Sequence, residues 1–230
     1  MEKTEKKKKR EIRLMGYTIG EEIFNSVSHG VGALLSAAGC ALLVVFAVIY
    51  GDGVAIASAA IYGTTLIIMY LMSTLYHSIP NKTTKKVFRV LDHSSIYLLI
   101  AGTYTPYTLI ALRGNGYPAI GWALFGIVWG GALIGIVLNS ISLDKFHKFS
   151  LGCYLVMGWV AIAAIRPLMN ILDFAGLFLL FFGGAMYTLG VTFFVLTKYK
   201  YMHSIWHLFV MGGSVSHFFS ILLSVVIVRY

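Results

Sequence analysis

Apolar residues dominate this chain in long runs separated by short polar breaks, without any alternation of polar and apolar positions. Runs long enough to cross a membrane occur at roughly 24–49, 54–77, 90–112, 119–138, 149–165, 174–197 and 203–228. A helix needs about 20 residues for that crossing, and the fifth run is the shortest. The breaks carry turn chemistry: Gly51-Asp52-Gly53, Pro80-Asn81-Lys82, Gly114-Asn115-Gly116 with Pro118, and Arg166-Pro167. A membrane barrel would instead alternate in polarity over segments of about ten residues. The pattern predicts an all-α fold, a bundle of seven transmembrane helices over residues 17–230, preceded by a basic tail over 1–16. Pairs such as Gly126/Gly130 and Gly131/Gly135 suit close helix packing in the fourth run.

Composition agrees with the pattern. Hydrophobic residues make up 58% of the 230 and charged residues 12%, about half the charge density of a soluble domain. No stretch is left for a second, soluble domain. Cys40 and Cys153 both fall in apolar runs and read as small buried hydrophobes rather than as a disulfide framework or a zinc-thiolate site. The basic start lacks the short apolar core and cleavage site of an export signal.

The net charge of +9 is distributed unevenly. Taking the breaks alternately, the tail and the second, fourth and sixth breaks carry fifteen Lys and Arg. The opposite ends carry three, Arg113, Arg166 and Arg229. Positive residues remain in the cytosol, which predicts a cytosolic N-terminus and an outer C-terminus in a cell membrane. That is the reverse of G-protein-coupled receptors. The lysine run Lys6–Lys9 reads as a topology determinant that touches anionic lipid; without a soluble domain to present the charge, nucleic acid is not an expected partner. A retinal protein is excluded because no lysine lies inside the seventh run.

Polar residues inside the apolar runs are few, and intramembrane ionisable groups mark function by default. With this orientation Ser73 and His77 fall near the cytosolic end of the second helix, Asp92 in the first turns of the third, and His203 and His207 in the first two turns of the seventh. His203 and His207, at i and i+4, stack on one helical face and can grip one metal. His77 would complete a three-histidine set, the arrangement of a catalytic zinc that keeps its fourth position open. Asp92 is then placed to hold or deprotonate a water there, and Ser73 to orient that water or a substrate oxygen. The competing reading is a set of hydrogen-bonded histidines at helix interfaces. Glu22, Asn25 and His29 form an i, i+3, i+7 stripe at the start of the first helix, lining the same site or capping that helix. His93 is expected to hydrogen-bond a neighbour, His147 to be solvated in a basic loop, and His217, about 21 Å deeper than His203, to make a separate buried contact.

These residues carry a family resemblance. Glu22-x-x-Asn25-x-x-x-His29, Ser73-x-x-x-His77, Leu91-Asp92-His93-Ser94-Ser95-Ile96-Tyr97 leading to Gly102-Thr103-Tyr104-Thr105-Pro106, and His203-Ser204-Ile205-Trp206-His207 resemble the bacterial haemolysin III branch of the adiponectin and progestin receptor family. The resemblance runs from about residue 17 to the C-terminus. It implies a seven-helix fold with a cytosolic N-terminus, zinc on His77, His203 and His207, and Asp92 close to it. Through the alkaline ceramidases of the wider superfamily it implies hydrolysis of lipid amide bonds, and through bacterial members a role in membrane-lipid homeostasis. Three functions stay open at this level. One is a zinc-dependent hydrolase of a lipid amide or ester entering from the inner leaflet; another is a receptor or regulator of membrane fluidity with structural zinc. The third, a pore, finds little polar lining in the fourth and sixth helices.

Overall fold

The computed structural model describes residues 13–14, 16–196 and 198–227. Most of the basic tail predicted over 1–16, and the end of the seventh run with Arg229, lie outside those residues. A two-residue hairpin, β1 (Arg13–Leu14) and β2 (Tyr17–Thr18), leads directly into α1 (Ile19–Tyr50). The chain continues through α2 (Gly53–Ser78), α3 (Lys82–Pro106) with a π-helical turn over Tyr107–Leu112, and α4 (Pro118–Gly158). After a 3-10 segment at Val160–Ala164 come α5 (Ile165–Ile171), α6 (Phe174–Val195) and α7 (Met202–Ile221), the last closing in a π-helical turn.

Polar side chains start these helices where the turn chemistry predicts. Asp52 Oδ1 accepts from the Ala55 N–H at 2.9 Å, and Asn81 Oδ1 from those of Thr83 and Thr84 at 3.0 and 3.1 Å. Thr18 and Glu21 form a capping box at the head of α1, with Glu21 Oε2 accepting from the Thr18 N–H at 2.8 Å. Asp173 heads α6 by accepting from the Gly176 N–H at 2.8 Å and from Ser224 Oγ at 2.6 Å. Those two donors hold its carboxyl below the ordinary range.

Among the described residues six helical stretches are long and apolar enough to cross a membrane, where the sequence predicts seven. The fourth and fifth predicted runs are a single stretch, Pro118–Ile171. The corner inside it is Ser142, with extended backbone (φ −163°, ψ 98°), whose Oγ accepts from the Lys145 N–H at 3.4 Å as an N-cap would. Past the corner the chain runs back along itself. Ser150 Oγ donates to Asn139 Oδ1 at 2.7 Å, and a Cβ added at Gly131 would meet Met157 Sδ at 3.3 Å. In a straight helix residues 131 and 157 would stand about 39 Å apart. Two other expectations fail locally. Arg166-Pro167 lies in the first turn of α5, where proline is tolerated, and the break comes at Leu172-Asp173. Gly126 and Gly130 face open space, whereas Gly135 gives way to the Tyr97 ring, leaving no room for a Cβ.

Burial separates inner from outer helices. In its most apolar window α3 is 72% buried and α7 61%, against 22% for α6 and 28% for α1 and α4. The exposed apolar side chains of the outer helices, such as Leu34, Ile134 and Phe174, form a face fit for lipid. Ser73, His77, Asp92, His203 and His207 are buried on α2, α3 and α7, and Glu22, Asn25 and His29 belong to the buried face of the more exposed α1.

Candidate metal centre

α7 has no side-chain cap of its own. Its head residue Tyr201 adopts a left-handed backbone (φ 62°) and donates its N–H to Glu21 Oε1 at 2.7 Å. One carboxylate therefore caps α1 and ties down α7, setting the height at which His203 and His207 meet α1. Both imidazoles are buried, and so is His77 in the last turn of α2.

Each of His77, His203 and His207 offers a ring nitrogen within 4.8 Å of the other two. Their ring centroids stand 4.8–5.3 Å apart. Among the described residues His77 Nε2, His207 Nε2 and both nitrogens of His203 have no hydrogen-bond partner. Buried polar atoms without partners are costly, and three converging from two helices are the pattern expected of a metal site. Tetrahedral zinc at about 2.0–2.1 Å per nitrogen sets its ligands roughly 3.3 Å apart, so rotamer adjustments of about 1.5 Å close the set. The residues fit zinc.

Around the triad α1 supplies support. His77 Nδ1 is bonded to Glu22 Oε2 at 2.7 Å, which leaves Nε2 as the free nitrogen and fixes the ring, the usual carboxylate–histidine arrangement behind a metal. Asn25 Oδ1 accepts from Ser204 Oγ at 2.6 Å, and Ser28 Oγ lies 3.4 Å from His207 Nδ1. His29 stacks on His207 with centroids 3.5 Å apart and planes 16° from parallel. The α1 stripe therefore lies directly behind the imidazoles. Asp92 is buried beside His77, and the Ser73 hydroxyl faces its carboxylate without hydrogen-bond geometry. Because α3 begins at Lys82 rather than near residue 90, Asp92 sits in its third turn, not its first.

Two residues of this centre are not evident from charge counting. Lys85, taken above as a cytosolic loop charge, is fully buried: its Nζ lies 3.0 Å from Glu22 Oε1 and donates to the Tyr76 carbonyl at 2.6 Å. The signal for it is the i, i+4, i+7 spacing of Lys85, Arg89 and Asp92, one helical face. Tyr17 covers the triad from the hairpin, its ring centroid 4.9 Å from His203 and 5.6 Å from His77. The Thr18-x-x-Glu21 box announces its position. Burial, and after it Tyr76, Asp92 and Glu22, raise the Tyr17 phenol well above its ordinary range, so it remains a neutral donor.

The other histidines separate as follows. His217 Nε2 meets the Leu180 carbonyl at 3.0 Å, deep in the bundle. His147 is half-buried rather than solvated, because the Ser142 corner folds it back onto Phe194 (5.6 Å) and His93 (5.8 Å). A chamber of about 330 Å³ opens between Tyr17 and His203 on one side and Arg89, His93 and His147 on the other. Phe194 is shared by this chamber and an apolar cavity of about 110 Å³ among α2, α3, α4, α6 and α7.

Comparison with known proteins finds relatives over most of the chain. A family model described as haemolysin-III related matches residues 17–218. The chain is 45% identical over 204 residues to Hemolysin-3 of Bacillus cereus, covering 89% of this chain and 91% of that protein. It is 46% identical over 206 residues to the Hemolysin-3 homolog of Bacillus subtilis strain 168, covering 90% and 95%. At 31% identity over 170 residues it is similar to the human monocyte to macrophage differentiation factor, covering 71% and 68%.

Proposed function

The chain belongs to the haemolysin III-related family of multi-pass membrane proteins, and we propose that it is a zinc-dependent hydrolase of a lipid amide or ester bond acting in membrane-lipid homeostasis. The observation that carries this reading is the convergence of three buried imidazoles, on nitrogens without hydrogen-bond partners among the described residues, with the buried Asp92 near His77. His29 is likewise buried with neither ring nitrogen partnered among the described residues, so it is the convergence of the three within 4.8 Å that marks the triad.

Bound zinc would supply Lewis acidity, polarising a carbonyl and activating water at neutral pH. The chain supplies the rest. Glu22 fixes the His77 ring; Asp92 takes a proton on a carboxylate oxygen and returns it to the departing amine or alcohol. Ser73, facing Asp92, orients a reacting oxygen, and Tyr17 shields the site from bulk water.

The membrane placement belongs to the same proposal. The Pro118–Ile171 stretch, about 81 Å if straight, is too long for one crossing of a core about 30 Å thick. With its corner at Ser142, beside Lys145 and Lys148, it makes two crossings, and the bundle makes seven. The end that holds the metal centre also holds Lys82, Lys86, Lys198 and Lys200, so the positive-inside rule sets the centre at the cytosolic leaflet.

The test compares wild type with Asp92→Asn in lipid nanodiscs against ceramide and other N-acyl lipids. The proposal expects cleavage by the wild type and at least a hundredfold loss in Asp92→Asn with metal retained. Equal cleavage in both, or none with metal-loaded wild type across amide and ester lipids, sinks the enzyme and leaves a zinc-containing regulator of membrane state.

A further inference from the structure

The chamber beside the histidines has a chemistry of its own. Its wall takes Tyr17 from the hairpin, Tyr76 from α2, Arg89 and His93 from α3, and His147 from α4. Among the described residues Arg89 is its one permanent charge, and no carboxylate lines it. The remaining polar groups of these residues are phenols and imidazoles, each with an N–H or O–H to give. A wall rich in donors and carrying one fixed cation suits an oxyanion. It disfavours an amine or quaternary ammonium, which would face the guanidinium.

Arg89 is available for that role. Among the described residues its guanidinium makes one hydrogen bond, from Nη1 to Asp144 Oδ1 at 2.9 Å. A guanidinium carries five N–H donors, so most of the fork is unspent. The partner is weakly held: the Asp144 side chain is 82% exposed, and that of Arg89 28%. Exposed pairs of this kind exchange readily for a better anion, and a phosphate accepts two parallel N–H bonds from one guanidinium. Asp144 lies two residues past the Ser142 corner and is not among the residues that line the chamber.

Position links the chamber to the centre. His203 belongs both to the triad and to the chamber wall, so a group held at Arg89 shares the chamber with one of the three imidazoles. Phe194 stands between the chamber and the apolar cavity, which separates a charged head from an apolar tail within one ligand.

We infer that this chamber is an oxyanion pocket in which Arg89, assisted by His93, His147 and Tyr17, holds the phosphate head of an amphiphilic substrate. The inference rests on the hydrolase reading and narrows its substrate class from any amide or ester lipid to one with an anionic head.

The test measures binding, not turnover. Purified full-length protein with its metal, in neutral phosphatidylcholine nanodiscs, is titrated with three probes: dihexanoyl phosphatidic acid below its micelle concentration, dihexanoylglycerol, and inorganic phosphate. The short phosphatidic acid binds wild type at least tenfold tighter than dihexanoylglycerol. Arg89→Gln removes that difference, Arg89→Lys keeps part of it, and zinc content is unchanged in both. Asp144→Asn, a change at an exposed side chain, tightens phosphatidic acid binding about twofold or more by freeing the guanidinium, which tests the idea even if Arg89→Gln misfolds. Phosphate binding as tightly as phosphatidic acid, and still through Arg89, would overturn the lipid head and leave a free-anion site. Equal affinity for phosphatidic acid and dihexanoylglycerol, or no response to Arg89→Gln and Asp144→Asn, overturns the pocket. Turnover without Arg89 dependence would refute the pocket and spare the hydrolase; Arg89-dependent binding without turnover of any lipid would do the reverse.

Discussion

Replacing Lys85 by Met removes a charge from a fully buried part of the candidate metal centre. The Lys85 side chain is 0% exposed and that of Glu22 5%, with 3.0 Å between Nζ and Oε1. Methionine fills the space of the aliphatic stem, so packing changes little and electrostatics decides the outcome. Breaking a buried pair by deleting one partner costs about 3–5 kcal/mol, because the other charge is left uncompensated. Losing the bond to the Tyr76 carbonyl adds about 1 kcal/mol. Against this, the His77 ring still engages Glu22 Oε2 at 2.7 Å, which places the expected loss near 3–4 kcal/mol rather than at the top of the range. In Lys85→Met/Glu22→Gln no charge is stranded, and the Gln amide oxygen can still accept from His77. The double variant should therefore recover about 2 kcal/mol relative to Lys85→Met. Equilibrium unfolding in mixed detergent micelles measures these differences. Zinc competition against a chelator gives a second readout, with affinity falling 10–100-fold in Lys85→Met as the carboxylate behind His77 loses its partner. A Lys85→Met loss below about 1 kcal/mol, or strict additivity of the two changes, would refute the buried ion pair.

Gly135→Val forces side-chain atoms into the Tyr97 ring and should reduce folded yield sharply, whereas Gly130→Val, which faces open space, should fold normally; size-exclusion profiles of the two separate the cases. In cysteine-labelling of intact cells with Cys40 and Cys153 replaced, Lys86→Cys and Lys145→Cys should resist an impermeant maleimide and Asn115→Cys should react. Labelling of Lys145→Cys from outside would contradict a double crossing through Pro118–Ile171.

Much of this architecture is legible in the chain because its strongest signals are local. Asp52 and Asn81 cap helices where Gly and Pro break the apolar runs, and the i, i+4 pair of His203 and His207 can only project one way from a helix. The convergence of His77 with that pair follows from shared depth. The reversal between the fourth and fifth runs is legible as a break over 139–148; its exact corner at Ser142 is not, because the cap is a single serine with no Gly or Pro beside it and helical hydrogen bonding resumes at once. Lys85 escapes because charge counting assigns every lysine near a break to water; α3 begins eight residues before its apolar run, and in its first turns Lys85 points inward while Lys82 and Lys86 stay exposed. His147 follows from the same cause as Ser142, since a residue in a presumed loop is carried by the fold-back onto Phe194 and His93. Lys85 and His147 thus share one origin: each is a polar residue held by tertiary contacts at the end of the bundle where the candidate metal centre lies.

The central claim is that the three imidazoles hold zinc, and elemental analysis of chelator-free protein tests it most directly, with wild type beside His207→Ala and Asp92→Ala. The account predicts about one zinc per chain in the wild type, loss of it in His207→Ala, and retention in Asp92→Ala, whose carboxylate stands beside the histidines without being one of the three ligands. Metal-free wild type, or zinc that persists in His207→Ala, would contradict it.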